Sequence, residues 1–309
     1  MGRNGLTEFV PSRQEGGKGV DLNIFLQTSI NGLMIGGVYA LVAVGLTLIY
    51  GVMRIVNFAQ GEFVMLGMYA SWMLATFLKI GPYPGLFLVG LFMLGIGWLI
   101  FKTLINRVVG KPDEVAILLT LGLSTFLQNA ILMIFGADYL TVQTTIKDAA
   151  FNMAGLSVPY ARVIAFLVAL LFVGLLSYLL AKTDLGRAMR ASAESRDIAI
   201  LLGINPKFIF TVAFGIGICM AGVAGVLLTP MFYVYPGIGT LFNTTAFVVV
   251  VLGGMGSVPG AFLGGLIIGI LESLTGTYVS LDLAPIGTFM IFLIVLFLRP
   301  SGLFGRSVN

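Results

Sequence analysis

Four charged residues, Arg187, Arg190, Glu194 and Asp197, recur at intervals of three and four along one stretch of the chain. Side chains three and four apart share one face of a helix, so this pattern makes a mixed-charge face suited to ion pairing with another protein. The stretch is residues 182–207, KTDLGRAMRASAESRDIAILLGINPK, which also carries Lys182, Asp184, Arg196 and Lys207 in a chain with 17 Lys and Arg and 13 Asp and Glu. Ala188, Ala191, Ser195, Ala199 and Leu202 fall on a second face that is small and apolar. That face suits a groove in a partner, or the surface of a bilayer with no partner at all. The spacing predicts one helix over 186–202, with Gly186 at its start and Gly203 as its stop. Asn205 then caps a following helix whose first residue is Pro206.

Two further stretches carry polar or backbone chemistry. In RIVNFAQGE, residues 54–62, Asn57, Gln60 and Glu62 offer hydrogen bonds between two apolar runs. Polar groups at membrane depth persist only where they line a cavity or are buried in protein, which makes these three candidates for a translocation path. The alternative is a short surface turn in which Arg54 pairs with Glu62. In GGMGSVPG, residues 253–260, Pro259 removes a backbone donor and breaks the helix. Gly253, Gly254 and Gly256 give that break freedom, as a gate on the path or as plain close packing. Gly256, Gly260 and Gly264, with Gly265 and Gly269, form the small-residue ladders that bring membrane helices together. Glu272, at the end of this run, reads as a solvated helix end.

Enzyme chemistry finds no residues to run it. The chain has no His and a single Cys, Cys219, which removes the usual proton shuttle and the commonest metal ligand. No catalytic constellation and no metal-ligand set appears. The GGKG at residues 16–19 is followed by neither Ser nor Thr at the position after Lys18, and no strand precedes it, so it is not a phosphate-binding loop. This chain therefore binds no cofactor in the sequence reading. Any ATP and Mg would belong to a separate subunit docked at 182–207.

The elements that must position these groups are spans. Hydrophobic residues make up 58% of the 309 residues and charged residues 10%, against about 25% charged in soluble domains, and the mean hydropathy is +1.05. The expected fold is an all-α polytopic membrane protein of about eight to ten transmembrane segments at about 20 residues each, some short or broken. A barrel is excluded because the runs lack two-residue alternation. Residues 1–20 form a polar extension and 21–309 a single transmembrane domain, with 182–207 as its charged loop. Apolar runs cover 24–53, 63–78, 86–105, 115–136, 162–181, 208–228, 243–273 and 286–298.

Ten of the 17 basic residues lie in connections 102–111, 182–207 and 299–306. Surplus Lys and Arg mark cytoplasmic loops, so the net charge of +4 reflects topology and not nucleic acid. The charged loop and the C-terminus are accordingly placed in the cytoplasm. For the parity to close, 243–273 enters and leaves on one side, as a hairpin of two short helices joined at residues 253–260, and the N-terminus lies outside. Gly51, Met53, Val56, Ala59 and Gly67 recur as Gly253, Met255, Val258, Ala261 and Gly269 at one offset. This internal echo suggests two parallel repeats whose broken elements face each other.

The segment NGLMIGGVYALVAVGLTLIYGVMRIVNFAQGEFVMLGMYAS, residues 31–71, resembles the opening of branched-chain amino acid ABC importer permeases of the LivH type. The resemblance continues through GRAMRASAESRDIAILLGINP (186–206), VVLGGMGSVPGAFLGGLIIGILE (250–272) and the ending PSGLFGR (300–306). It implies a multi-pass subunit of a bacterial-type inner membrane that moves leucine, isoleucine and valine; relatives also serve urea, short amides and other small solutes. The partners it implies are a second homologous permease, two cytoplasmic ATPases and a periplasmic substrate-binding protein. It also implies that 186–203 is the coupling helix seated in the ATPase, with Glu194 and Gly203 in the working loop. Family members often carry His where Gln60 stands, and Gln60 keeps hydrogen bonding without titrating. Outside the resemblance, a facilitative channel or secondary transporter acting alone is the competing class. It predicts gradient-driven uptake by the isolated chain.

Overall fold

The computed structural model describes residues 22–142, 150–153, 156–280, 283–299 and 302–304. The 1–20 extension, the GGKG stretch and most of the 300–306 ending lie outside the described residues. Eleven α-helices appear among those described: α1 Leu22–Met53, α2 Gln60–Phe77, α3 Pro82–Thr103, α4 Asp113–Phe135, α5 Tyr160–Lys182, α6 Asp184–Glu194, α7 Arg196–Leu201, α8 Pro206–Leu228, α9 Ile238–Gly253, α10 Val258–Tyr278 and α11 Ala284–Leu298. Six of them (α1, α3, α4, α5, α8 and α10) are long and apolar enough to cross a membrane, and α9 and α11 are shorter apolar helices. The chain is a polytopic, helical membrane protein.

Local signals explain most boundaries. Pro82, Pro206, Pro259 and Pro285 each lie in the first turn of a helix, where the missing N–H has no intrahelical partner to lose. Asn205 caps α8 by accepting from the Phe208 N–H at 3.4 Å. The all-helical expectation misses one element. In the connection after α4, β1 (Ala150–Met153) and β2 (Leu156–Pro159) pair as a small antiparallel hairpin, from Ala150↔Pro159 to Met153↔Leu156. Gln27, near the start of α1, clasps it by exchanging two hydrogen bonds with the Ser157 backbone.

The core is built on glycine contacts between backbones. The largest helix pair is α1 against α10, running antiparallel: Gly32 and Gly36 of α1 meet Gly269 and Gly265 of α10, and Gly51 meets Gly256. The centre of the bundle is α8, touched by α1, α2 and α3, with Gly217 on Gly45, Gly225 on Val64 and Gly215 by Gly97. In lipid there is no hydrophobic drive between helices, so close backbone approach and its dispersion contacts must hold the bundle.

The pair α9–α10 turns at 254–257 and returns along α1, so the run does enter and leave at one end. Its second helix is not short, however: α10 has 21 residues. The C-terminal residues pack on this corner, Leu303 N–H to Leu252 O at 2.8 Å and Phe304 N–H to Gly253 O at 3.1 Å. That corner, the end of α1 and α6–α7 mark one end of the bundle. The start of α1, the end of α10 and the start of α11 mark the other.

Candidate functional site

The chain leaves α1 through Arg54, whose φ of 58° turns it sharply, and folds back into the bundle. Residues 54–59 are not helical, so their backbone groups need side-chain partners at depth. Asn57 supplies one, and Gln60 ties Asn57 to α8. Asn57 Oδ1 accepts from the Ala59 N–H at 3.2 Å, and Asn57 Nδ2 donates to Gln60 Oε1 at 3.1 Å. Gln60 Nε2 donates to the Gly217 carbonyl of α8 at 3.3 Å. Both side chains are 0% exposed.

Glu62 lies two residues after Gln60 and is also buried. Ser124, in the middle of α4, donates to its Oε1 at 3.2 Å; its Oε2 is buried without a partner. Gly239, at the start of α9, faces that oxygen so closely that a Cβ there would sit 2.5 Å from it. Asn243 of α9 reaches the other way and accepts from the Gly61 N–H at 3.2 Å. The N-termini of α2 and α9 therefore meet inside the bundle around one carboxylate. Helix N-termini carry partial positive charge, so their convergence favours a negative group at this place. Interrupted helices that meet at depth are a recurrent way to build a transport path.

Asn57, Gln60 and Glu62 thus come together. Arg54 is exposed, and no Arg54–Glu62 pair forms; among the described residues the one ion pair is Arg187–Asp184. Gly253, Gly254, Gly256 and Pro259 are not part of this cluster. They form the α9–α10 corner, with Gly254 and Gly256 at φ 98° and 86°, where Gly51 and the C-terminal residues pack. Sequence reasoning missed Thr120 and Ser124, which bond Val56 O and Glu62 respectively. Their signal was present: Thr120, Ser124 and Gln128 repeat every fourth residue in an apolar run. Glu272 is not a solvated helix end. It is half-buried, and Tyr39 of α1 donates to its Oε1 at 3.2 Å.

The charged stretch is two helices where one was expected. Ser195 adopts an extended conformation (φ −153°, ψ 118°), ending α6 and capping α7 through its Oγ. Arg187, Arg190 and Glu194 remain on α6, and Asp197 moves to α7, off the predicted face. A Ser with an acid two residues later is an N-cap pattern, and here it outweighs helix continuation. Gly186 is buried in the α5–α6 corner, where any Cβ would collide with the Leu179 and Leu180 carbonyls. Arg190 donates to that same Leu180 carbonyl. Gly203 takes φ 78°, the left-handed turn expected after a helix. The small apolar face is partly internal, with Ala199 buried; the exposed apolar surface is Ile198 (59%), Ile200, Leu201 (86%) and Leu202 (69%). A greasy ridge thus stands exposed beside Glu194 and Asp197 at one end of the bundle.

A family model described as branched-chain amino acid transport system / permease component matches residues 28–298. The high-affinity branched-chain amino acid transport system permease protein LivH of Escherichia coli K12 is 35% identical over 296 residues, covering 91% of this chain and 96% of that protein. BraD of Pseudomonas aeruginosa, a permease protein of the same description, is 35% identical over 298 residues with the same coverage. LivM of Escherichia coli K12, also a permease protein of the high-affinity system, is 30% identical over 293 residues, covering 86% of this chain and 67% of that protein. No solved structure matches.

Proposed function

The chain belongs to the family of branched-chain amino acid transport system permease components, and from that premise we propose that it carries leucine, isoleucine and valine inward, coupled to ATP hydrolysis on separate subunits. It is a multi-pass membrane subunit of the transport-permease family. Likeness to both LivH and LivM implies a transport system with a second permease.

The observation that carries the coupling proposal is the exposed pair α6–α7. Its charged side chains and its apolar ridge of Ile198, Leu201 and Leu202 are exposed at the end of an otherwise apolar bundle. A cytoplasmic ATPase fits that surface, with Gly186 and Gly203 fixing how α6–α7 is slung between α5 and α8. The charge bias of the connections supports a cytoplasmic C-terminus and this end as the inner one. A periplasmic binding protein would then deliver substrate at the other end. The path runs by the meeting of α2 and α9, where Asn57, Gln60 and Glu62 come together. The α9–α10 corner at Gly253, Gly254, Gly256 and Pro259 would transmit movement of the inner end to α9.

Co-expression and purification test the assembly. The chain should come out with a second permease and two ATPases, and liposomes holding the complex should take up leucine only with ATP and binding protein. Reversing charge with Arg190→Glu or Glu194→Lys should lower uptake per ATP hydrolysed while the chain still reaches the membrane. Unchanged coupling in both variants refutes the docking surface. ATP-independent uptake by the isolated chain refutes the importer reading in favour of a facilitator, and uptake of urea or short amides in place of leucine refutes the substrate.

A further inference from the structure

Glu272 lies six residues before Tyr278, the end of α10, so about 9 Å along the helix axis at ~1.5 Å per residue. It faces a groove of about 150 Å³ between α9, α10 and α11, at the end of the bundle remote from α6–α7. Thr240, Thr244 and Thr288 line the groove with it, and Leu241 and Phe289 form apolar walls. An ionisable group inside a membrane bundle is costly and marks a function by default. The Tyr39 hydroxyl holds one of its oxygens. No Lys or Arg among the described residues forms an ion pair with Glu272.

The hydroxyls decide what fits. Thr244 donates its proton to the Thr240 carbonyl at 2.9 Å, and Thr288 donates to the Ala284 carbonyl at 3.4 Å. With those two protons committed to their own helices, the Thr244 and Thr288 oxygens offer lone pairs to a ligand. The groove therefore presents a carboxylate and acceptors beside apolar walls. A carboxylate flanked by two hydroxyl acceptors suits a group that only donates, and a primary ammonium has three donors and no acceptor. We infer that this groove binds the primary ammonium of a small aliphatic ligand, with the ammonium on Glu272 and the aliphatic part against Leu241 and Phe289. That chemistry belongs to a branched-chain amino acid arriving at the mouth of the path, and equally to the ethanolamine headgroup of a lipid entering sideways. The first source rests on the proposed substrate.

The test uses the assembled transporter in liposomes with and without phosphatidylethanolamine. Glu272→Gln should cut leucine uptake per ATP at least tenfold in a complex that still assembles, and Glu272→Asp should restore part of it. A defect in both lipid mixtures assigns the ammonium to the amino acid, and a defect confined to ethanolamine-containing liposomes assigns it to the headgroup. Uptake equal to wild type in both overturns the site. A second measurement leaves Glu272 in place. In a Cys219→Ala background, Thr244→Cys should react at least tenfold faster with an ammonium-bearing methanethiosulfonate than with a sulfonate-bearing one, and equal rates overturn the site. If the wild-type complex moves no branched-chain amino acid, the proposed substrate falls, while the reagent rates still report on the groove.

Discussion

Replacing Gly265 by Ala puts one methyl group into the most extensive helix seam among the described residues. An ideal Cβ at Gly265 would lie 2.5 Å from the Ala40 Cα and 2.6 Å from the Ala40 Cβ. Carbon atoms rest at about 3.5–4.0 Å, so α1 and α10 must part by about 1 Å at this point. Both contacting atoms lie on or next to the backbone of a long helix, so no side-chain rotation relieves the clash. A gap of ~0.5–1 Å forfeits a quarter to a half of each dispersion contact, and overpacking of this kind costs about 1–3 kcal/mol. The substitution also gains helix propensity, roughly 1 kcal/mol for Gly to Ala, which has to be removed from the comparison. Gly174 of α5 serves as the control, because a Cβ there meets nothing within 4 Å. The same chemical change at both positions shares the propensity gain, so the difference between them isolates the clash at about 1–3 kcal/mol. Denaturant unfolding of the purified chain in one detergent should show Gly174→Ala at or above wild type and Gly265→Ala below it by that margin. Equal midpoints, or the reverse order, would refute the claim that backbone contact between α1 and α10 holds the bundle.

Gln60→Glu keeps the shape of the side chain but replaces the donor facing the Gly217 carbonyl with an acceptor; a loss of about 1–3 kcal/mol is expected from the same unfolding assay. Ser124→Ala leaves both Glu62 oxygens without a protein donor and should lower stability by about 1–3 kcal/mol, with Ser124→Thr retaining most of it; an unchanged midpoint argues that the bond does not form. Ser195→Ala deletes the cap of α7 at a cost of about 0.5–2 kcal/mol and favours one continuous helix over α6 and α7. Its signature is reduced uptake per ATP at normal expression, and normal coupling would show that the break is not needed. Gly203→Ala must hold φ at 78°, an arrangement worth roughly 1–2 kcal/mol against a side chain. Gly203→Asn should be milder, since Asn visits that region more readily, and hydrogen exchange at the start of α8 would report the difference.

The sequence by itself determined that this is a helical membrane bundle, because length and polarity of a run are local properties and lipid accepts few alternatives. It determined the caps for the same reason: Asn205 acts three residues away, and Pro206 acts on its own backbone. It singled out Asn57, Gln60 and Glu62 because polar groups between two spans are conspicuous. Only the tertiary structure decided what those groups touch. Gln60 meets Gly217, 157 residues away, and Glu62 meets Ser124, 62 residues away; no local pattern encodes such a pairing. The same holds for Glu272, which ends an apolar run in the sequence and binds Tyr39 across 233 residues in the fold. The glycines make the point most plainly. Gly174 and Gly265 are the same residue in similar apolar runs, and one faces open space while the other touches backbone. Which helix lies alongside is a property of the assembled bundle, and that neighbour alone gives each glycine its meaning.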